Sequence, residues 1–347
     1  MKNDLLRRLL AGLAAGDSLG STSEFVAQRE VPGVYHRMKG QGWPFKQVGG
    51  GHAGWNPGDP TDDTEMAFCM VRSFVRRGRF DPQDVAQEFV SWMRNGPIDI
   101  GTTTLRTLLA CEGKDNYWEG GLHFWRENPR YAANGSLMRN GIVPGMAENL
   151  EDAFSFTLKQ GMITHYAPLP QICCLAQTYL IWNLLKDKKL QEDWVESFEV
   201  EIDEYFQEIR DAEIRDWFDN VGENDAYRRS LEKFRETDWE IEQFDPFSID
   251  YERGIGYCLL TLKIAIWGLH WSLEPRAREP PEGFPPEVFE AEGPARLAWV
   301  AMIGHDSDTY AAVAGALIAA AHPELPTGFI SGLKALEHFD QLVKRSE

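Results

Sequence analysis

The chain carries the segment Gly58-Asp59-Pro60-Thr61-Asp62-Asp63-Thr64 and, near its other end, the related segment Gly304-His305-Asp306-Ser307-Asp308-Thr309. Each combines two carboxylates with a neighbouring threonine hydroxyl and precedes an apolar helical run, at 65–75 and at 310–321. Side chains that offer only oxygen favour Mg²⁺, Mn²⁺ or Ca²⁺ over zinc. Aspartate and threonine are also common N-cap residues, so helix capping explains either segment taken alone. Two such segments that both open apolar helices favour a shared metal site.

The overall composition is that of a globular protein. Of its 347 residues, 43% are hydrophobic, which is enough for one large domain or two small ones. Residues 1–8 carry charges where the apolar part of a signal peptide would begin, and no apolar run reaches membrane-spanning length. Five cysteines without CxxC spacing predict neither a disulfide framework nor a zinc site. We therefore expect a soluble, cytoplasmic protein without a membrane partner.

The negative charge is concentrated in one segment. The net charge is −19, and 23 acidic residues against 9 basic ones lie between Asp187 and Arg253. Such a balance disfavours nucleic acid as a partner, because phosphate contacts need a basic surface. Apolar residues recur at helical spacing within the segment, which predicts an acidic helical insertion at about 187–253 rather than disorder. Its acidic face is interpreted either as a solvated surface or as a docking surface for a basic protein.

Strand signals are few, and apolar periodicity predicts an all-α fold. The predicted helices are 4–19, 64–77, 82–94, 102–112, 136–147, 151–164, 170–186, 255–270, 293–303, 309–321 and 327–344. A proline-rich segment, 274–286, predicts a surface crossover between two core helices.

The first predicted helix carries glycines at positions 12, 16 and 20, which lie on one helical face because they recur every four residues. Glycine has no Cβ, so this face lets another backbone or a ligand come close. Tight helix packing explains the glycines but not Asp17 and Glu24, which stand beside them in the sequence. A buried carboxylate at such a place needs a metal, a hydroxyl or a cation as its partner.

Two further segments, 97–104 and 134–139, place hydroxyl, amide or glycine residues before a predicted helix. Free backbone N–H groups at a helix N-terminus bind anions, so either segment can hold phosphate oxygens, although capping is the more frequent use. Thr164-His165 follows in a loop between two helices. A single histidine is more often structural than catalytic, so the pattern alone assigns His165 no role.

Taken together and in order, these segments resemble the motifs of the ADP-ribosylglycohydrolase family. The matching segments are Gly16-Asp17-Ser18-Leu19-Gly20 with Glu24, Thr61-Asp62-Asp63-Thr64, Asp99-Ile100-Gly101, Asn134-Gly135-Ser136-Leu137-Met138-Arg139, Thr164-His165, and Asp306-Ser307-Asp308-Thr309 with the small residues 311–317. The Asp-Ile-Gly form is most similar to the dinitrogenase reductase-activating glycohydrolase branch, whose members remove ADP-ribose from arginine. The matches lie within 5–186 and 253–322, which leaves the acidic segment as an insertion.

The resemblance implies a single, compact all-α domain over residues 1–347, with a binuclear metal cleft that holds two Mg²⁺ or Mn²⁺ ions. The implied metal ligands are Thr61, Asp62, Asp63, Asp306, Asp308 and Thr309. Glu24 matches the family's glutamate near the reacting ribose, where it would position or deprotonate the attacking water. Asp62 is implied as catalytic as well as a ligand. Asp99 would face the leaving group, where a carboxylate can pair with guanidinium.

The resemblance also implies which residues contact the substrate. These are Asp99, Gly101, Thr102, Asn134, Gly135, Ser136 and His165, with 134–136 on the diphosphate and His165 on the phosphate or adenosine side. Two departures stand out, because His305 replaces a glycine of many members and Ala132-Ala133 precedes Asn134 where some members have more glycine. Neither departure removes a ligand, so an active enzyme is favoured over a degenerate binder of ADP-ribose.

The function expected from the resemblance is metal-dependent hydrolysis that removes ADP-ribose from modified arginine side chains of proteins. Two alternatives stay open at this point. One is a hydrolase of serine-linked or other O-linked ADP-ribose. The other is a binding protein of the immunity type, which would hold ADP-ribose or block a basic ADP-ribosylating toxin through the acidic insertion, with or without hydrolysis.

Overall fold

The computed structural model describes residues 2–223, 225–251 and 254–346, which form eighteen α-helices joined by loops and short 3₁₀ turns. The helices are α1 Lys2–Gly20, α2 Val31–Met38, α3 Asp62–Arg77, α4 Pro82–Arg94, α5 Thr102–Cys111, α6 Glu119–Glu127, α7 Leu137–Asn140, α8 Leu150–Thr164, α9 Pro168–Asp187, α10 Trp194–Gln207, α11 Ala212–Gly222, α12 Ala226–Arg235, α13 Cys258–Leu273, α14 Pro286–Phe289, α15 Leu297–Ala301, α16 Ser307–Ala321, α17 Thr327–Ile330 and α18 Lys334–Ser346. The described residues contain no β-strand, only two isolated β-bridges, which confirms the predicted all-α class. None of these helices combines the length and the apolar character that a membrane span requires.

The centre of the fold is the contact between α1 and α16, which lie backbone against backbone. A Cβ atom at Gly12 would lie 2.2 Å from the carbonyl oxygen of Gly315, and one at Gly16 would lie 1.8 Å from that of Ala311. The glycine face predicted from the sequence therefore receives another helix backbone. This contact places the C-terminal end of α1 beside the N-terminal end of α16, where the second aspartate segment begins.

Helix α16 is buried along its whole length, as expected for a helix that is apolar on every side. Helices α1, α9, α13 and α15 pack around it, and α3 contacts α1 and α16 from the side. Because both aspartate segments lie at the N-terminal ends of α3 and α16, packing at the centre of the fold brings these two helix ends together.

Three of the predicted helices have different lengths in the structure. The predicted helix 136–147 is only the short α7 followed by a 3₁₀ turn at 143–145, because Pro144 lacks the N–H that would continue an α-helix. The predicted helix 327–344 is two helices, α17 and α18, separated at Gly332, which adopts a φ of +79°. The predicted 293–303 is a 3₁₀ turn and the five-residue α15. Helices α2, α6 and α14 were not predicted.

The acidic segment is helical, as predicted, and consists mainly of α10, α11 and α12. These helices enclose an aromatic cluster in which Trp194, Phe198 and Phe234 are buried side by side. The indole N–H of Trp217 donates a 2.9 Å hydrogen bond to the carbonyl oxygen of Tyr166 in the main body. The segment is thus packed against α8 and α9 rather than detached from them.

All five cysteines are buried free thiols. Burial raises the pKa of Cys69 and of Cys174 to about 12, so both stay protonated near neutral pH. No cysteine belongs to the clusters of potential metal ligands found in the described ranges. The cysteines are core side chains.

Candidate active site

A cleft of about 370 Å³ opens over the N-terminal ends of α3 and α16. It is lined by side chains from segments that are far apart in the sequence. The predicted site residues among them are Glu24, Asp62, Asp99, Gly101, Thr102, Asn134, Gly135, His165, Asp306, Asp308 and Thr309. Thr61 and Asp63 are buried beside this lining, and Ser136 is buried away from it.

The first aspartate segment combines helix capping with unpaired carboxylate oxygens. Thr61 is the N-cap of α3, and its hydroxyl accepts a hydrogen bond from the N–H of Asp63 while donating to the Asp63 carboxylate at 3.0 Å. The capping interpretation is therefore correct for Thr61. The Oδ1 atom of Asp63 is buried without any hydrogen-bond partner, so capping does not account for this carboxylate.

The second segment is not a side-chain cap at all. Asp306 occupies the N-cap position of α16 but makes no capping hydrogen bond, and its carboxylate instead accepts a 2.7 Å hydrogen bond from the amide of Asn134. Asp308, the second residue of α16, has a buried Oδ1 without a partner. The hydroxyl of Thr309 donates to the Asp63 carboxylate at 3.4 Å, which joins the two segments directly.

Asp17, on α1, joins the carboxylates of the two aspartate segments. Carboxylate oxygens of Asp17, Asp63 and Asp308 all lie within 4.8 Å of one another, and all three residues are buried. In the described ranges, no lysine or arginine forms an ion pair with these carboxylates or with Asp62 and Asp306. Buried carboxylates without counter-charge are costly, and orphaned oxygens with oxygen-only neighbours suit a hard divalent cation. The donor set fits such an ion.

The pKa values of these carboxyl groups are raised, because the groups are buried and no lysine or arginine in the described ranges forms an ion pair with them. Burial raises the pKa of Asp17 to about 6. Burial and then the charge of Asp99 raise the pKa of Asp62 to about 8 and that of Glu24 to about 9. For Asp63 and Asp308, burial and neighbouring carboxylates raise the pKa well above its ordinary value. Without a bound cation, Asp62 and Glu24 therefore largely hold their protons near neutral pH.

A second group lies at the mouth of the cleft. Potential ligand atoms of Glu24, His52 and Asp99 lie within 4.8 Å of one another, and Nδ1 of His52 is 3.2 Å from Oε2 of Glu24. Sequence reasoning missed His52. The signal that could have found it is the run Gly49-Gly50-Gly51, whose residues all adopt positive φ and deliver the histidine to the cleft.

The opposite wall carries the residues expected to face phosphate. The amide of Asn134 also donates to Thr261 at 2.9 Å, so its orientation is fixed, and Gly135 and His165 line the cleft beside it. The hydroxyl of Ser136 accepts from the Cys174 thiol at 3.5 Å and is fully buried. The Ser136 side chain therefore has no place in the lining of the cleft.

His305 does not crowd the cleft. Its backbone adopts a φ of +56°, and its N–H and carbonyl pair with Val26 and Phe25, respectively. Its ring stacks on Tyr251 with centroids 4.3 Å apart. The histidine that replaces glycine thus packs against the end of the acidic segment, outside the cleft lining.

The fold and the cleft define an all-α protein whose site is built from buried oxygen ligands on two facing helix ends. The chain belongs to the ADP-ribosylglycohydrolase family, whose model matches residues 2–346. This match spans the acidic segment as well as the cleft.

Individual proteins of known name share only part of this sequence. The ADP-ribosyl-[dinitrogen reductase] glycohydrolase of Rhodospirillum rubrum is 34% identical over 180 residues, which cover 50% of this chain and 55% of that protein. The ADP-ribosylarginine hydrolase Tri1 of Serratia proteamaculans (strain 568) is 24% identical over 99% of this chain and 78% of its own. The ADP-ribosylhydrolase ARH3 of Gallus gallus is 23% identical over 92% of this chain and 85% of that protein.

A solved structure, an ADP-ribosylglycohydrolase-related protein complex, matches the fold with a TM-score of 0.62 at 23% sequence identity. The match covers 100% of both chains. At this identity the likeness supports the fold and carries no argument about substrate.

Proposed function

We propose that this chain is a metal-dependent hydrolase that removes ADP-ribose from modified arginine side chains of proteins. The observation that carries the proposal is the convergence of Asp62 and Asp63 with Asp306 and Asp308 at and beside one cleft, where no lysine or arginine of the described ranges forms an ion pair with them. Family membership supports hydrolysis of ADP-ribosyl bonds. The names of the Rhodospirillum and Serratia relatives favour arginine as the modified side chain.

The metal ligands in this proposal are Thr61, Asp62, Asp63, Asp306, Asp308 and Thr309, and the expected cofactor is two Mg²⁺ or Mn²⁺ ions. Bound divalent cations supply Lewis acidity and a template for the ribose hydroxyls. The unpaired Oδ1 atoms of Asp63 and Asp308 are the acceptors that such cations would use.

In this proposal Glu24 acts on the attacking water. It is buried at the cleft wall, where its carboxylate can orient water toward the ribose C1″ and take its proton. The bond from C1″ to the guanidine nitrogen breaks as the water oxygen adds to C1″, and its electron pair stays on the nitrogen. The proton that Glu24 took from water passes on to the departing guanidine, which leaves as guanidinium and restores the Glu24 carboxylate. With a pKa of about 9, Glu24 accepts a proton near neutral pH only after the carboxylates around it have been neutralised.

Asp99 would receive the leaving group. Its carboxylate is partly exposed at the mouth of the cleft, near Glu24 and His52, where a planar guanidinium can pair with both oxygens. On the other side, the backbone at Gly101, Thr102 and Gly135 and the side chain of His165 would hold the diphosphate. The side chain of Asn134, expected to contact it as well, has both of its N–H groups committed to Thr261 and Asp306 and would act by fixing Asp306 instead. Ser136 would contribute through its backbone alone.

The test uses a protein ADP-ribosylated on arginine, incubated with this chain and Mg²⁺, with free ADP-ribose measured by mass spectrometry. We expect release by the wild type and by Asp59→Asn, whose carboxylate lies in the same segment but pairs with Lys334. Asp308→Ala should release none. Failure of the wild type under conditions in which a known arginine-specific hydrolase works would overturn the proposal.

A serine-linked substrate belongs in the same experiment, because relatives named ADP-ribosylhydrolase ARH3 align with most of this chain. Faster release from serine than from arginine would contradict the arginine assignment and leave an ADP-ribosyl hydrolase of another linkage.

A second candidate function is the docking of a basic protein such as an ADP-ribosylating toxin. The observation that favours it is a groove of about 500 Å³ between α8 and α10, lined by Glu151, Glu201, Glu204 and Glu208. Asp308→Ala separates the two functions, since it removes hydrolysis and leaves this surface intact. The double variant Glu201→Lys, Glu204→Lys should do the reverse. Protection from a toxin that persists in Asp308→Ala but is lost in the double variant would favour docking.

A further inference from the structure

Arg139 is fully buried on α7, behind the cleft wall that carries Gly135 and His165. All five of its N–H donors are used. Nε donates to Gln160 Oε1 at 2.8 Å, Nη1 to the Gly135 carbonyl at 3.1 Å and to Met66 Sδ at 3.6 Å, and Nη2 to the Gln160 carbonyl at 3.0 Å and to Thr164 Oγ1 at 2.7 Å. None of these partners is a carboxylate. Burial lowers the pKa of Arg139 to about 9, so the guanidinium remains charged at neutral pH.

The hydrogen bond from Arg139 to Thr164 determines the direction of the hydrogen bond between Thr164 and His165. Arginine can only donate, so the Thr164 oxygen is the acceptor of the 2.7 Å bond. Nδ1 of His165 lies 2.8 Å from the same oxygen. The Thr164 hydroxyl has one hydrogen to donate, and His165 Nδ1 is its remaining hydrogen-bond partner in the described ranges. If Nδ1 carried a proton instead, that buried hydroxyl hydrogen would have no acceptor, which is costly.

With Nδ1 accepting, the ring proton of His165 belongs on Nε2. This atom is buried and has no hydrogen-bond partner. It lies at the cleft wall beside Gly135, where a Cβ atom would come within 3.1 Å of it, so a side chain at position 135 would press against the ring and cover Nε2. Burial, followed by the charge of Arg139, lowers the pKa of His165 to about 3, which keeps the ring neutral.

We infer that Arg139, acting through Thr164, fixes His165 as the Nε2–H tautomer and thereby gives this wall of the cleft a donor subsite, in which Nε2–H donates to an oxygen of an anionic group. The uncompensated guanidinium adds attraction for negative charge from behind the same wall. Arg139 and Thr164 are positioning residues, since neither lines the cleft. The inference rests on the proposed function in one respect, because it takes the anionic group to be the diphosphate of ADP-ribose.

The tautomer can be measured on the wild-type protein with Mg²⁺ bound. Long-range proton–nitrogen NMR of ¹⁵N-histidine-labelled protein distinguishes the two ring nitrogens of each of the eight histidines. The His165→Gln variant identifies the His165 signals by their loss. We expect an unprotonated Nδ1 and a protonated Nε2 at His165. An Nδ1–H tautomer, or a doubly protonated ring at neutral pH, would overturn the inference whether or not the protein is an active hydrolase.

Affinity for ADP-ribose tests whether the fixed tautomer contributes to ligand binding. Thr164→Val removes the hydroxyl, and Thr164→Ser keeps it as a matched control. Calorimetry with ADP-ribose should show about tenfold weaker binding for Thr164→Val and wild-type affinity for Thr164→Ser, as expected for the loss of one hydrogen bond to a charged group. Adenosine, which lacks the diphosphate, should bind all three proteins alike.

The outcomes separate the two proposals. An equal loss for ADP-ribose and adenosine, or no loss for either, contradicts the donor subsite. ADP-ribose binding with this pattern but without hydrolysis supports the subsite while the proposed activity fails. If Thr164→Val does not fold, because it leaves an Arg139 N–H without its acceptor, the wild-type tautomer measurement decides alone.

Discussion

The carboxylate of Asp17 accepts a 3.1 Å hydrogen bond from the backbone N–H of Thr61, which ties the first helix of the chain to the loop that carries Asp62 and Asp63. The same oxygen accepts a 3.2 Å hydrogen bond from the N–H of Thr64. Since α1 also packs against α16 through its glycines, one helix sets the position of both aspartate segments. Asp17 therefore holds the site together as well as facing Asp63 and Asp308.

Asp17→Ala should destabilise the protein by about 1–3 kcal/mol, because it leaves two buried backbone N–H groups without an acceptor. Asp17→Asn keeps an acceptor oxygen and should lose less. Chemical unfolding in EDTA measures both variants without any contribution from metal. Equal losses for the two variants would contradict a role that depends on the two hydrogen bonds.

Gly16→Ala should prevent correct folding, because its Cβ would lie 1.8 Å from the Ala311 carbonyl oxygen, which is backbone that cannot move aside locally. Gly33→Ala in α2 is the matched control, since the nearest atom to its Cβ is the flexible Arg37 Nη1 at 3.5 Å. The control should change stability by no more than about 1 kcal/mol. Circular dichroism and thermal melts compare the two. A well-folded, stable Gly16→Ala protein would contradict the close backbone contact.

Mg²⁺ or Mn²⁺ should raise the melting temperature of the wild type, since binding to the folded state alone stabilises by about 2.7 kcal/mol at a hundredfold excess over Kd. Asp62→Asn and Asp308→Asn should each remove most of this rise. Without metal, both variants should melt above the wild type, because neutralising one carboxylate relieves repulsion within the cluster.

Melts in EDTA and in Mg²⁺ on these three proteins check the expectation. A purely capping role predicts the opposite, a loss of about 1 kcal/mol on mutation to alanine that does not depend on metal. A metal-induced rise that persists in both asparagine variants would refute the shared site.

The stability of the metal-free protein should fall as pH rises. Folding raises the pKa of Asp62 from 3.8 to about 8 and that of Glu24 from 4.5 to about 9, through burial first and the charge of Asp99 second. Between these values the folded state holds protons that the unfolded chain has released, so the free energy of unfolding decreases from about pH 5 to about pH 8. Saturating Mg²⁺ should flatten this slope. Denaturant melts across the range measure it, and a metal-free protein that becomes more stable toward pH 8 would contradict the cluster's lack of counter-charge.

His52→Gln should lower kcat by about tenfold or more and leave KM unchanged, if His52 shares the proton that Glu24 takes from water. His36→Gln, on the exposed face of α2, is the control and should leave both constants unchanged. Steady-state kinetics with an ADP-ribosylated arginine substrate provide the comparison. A rise in KM alone would assign His52 to substrate binding instead.

The sequence was sufficient for the all-α class, because apolar residues recur at helical spacing along most of the chain and strand signals are few. It was also sufficient for the glycine face of α1, since three glycines four residues apart can only serve a close approach. The aspartate segments were recognisable as potential ligands because their oxygens are adjacent in the sequence. In each case the deciding information is local, within one or two helical turns.

Contacts between residues far apart in the sequence were decided only by the tertiary structure. Whether Asp63 and Asp308 cap helices or keep a carboxylate oxygen without a hydrogen bond depended on which contacts their oxygens make after α1 and α16 have packed. His52 approaches Glu24 only through a loop of positive-φ glycines, and Ser136 turns away from the cleft toward Cys174. Periodicity describes which side of a helix is apolar, but it holds no information on which other helix covers that side. Side-chain partners therefore follow from packing across the whole chain.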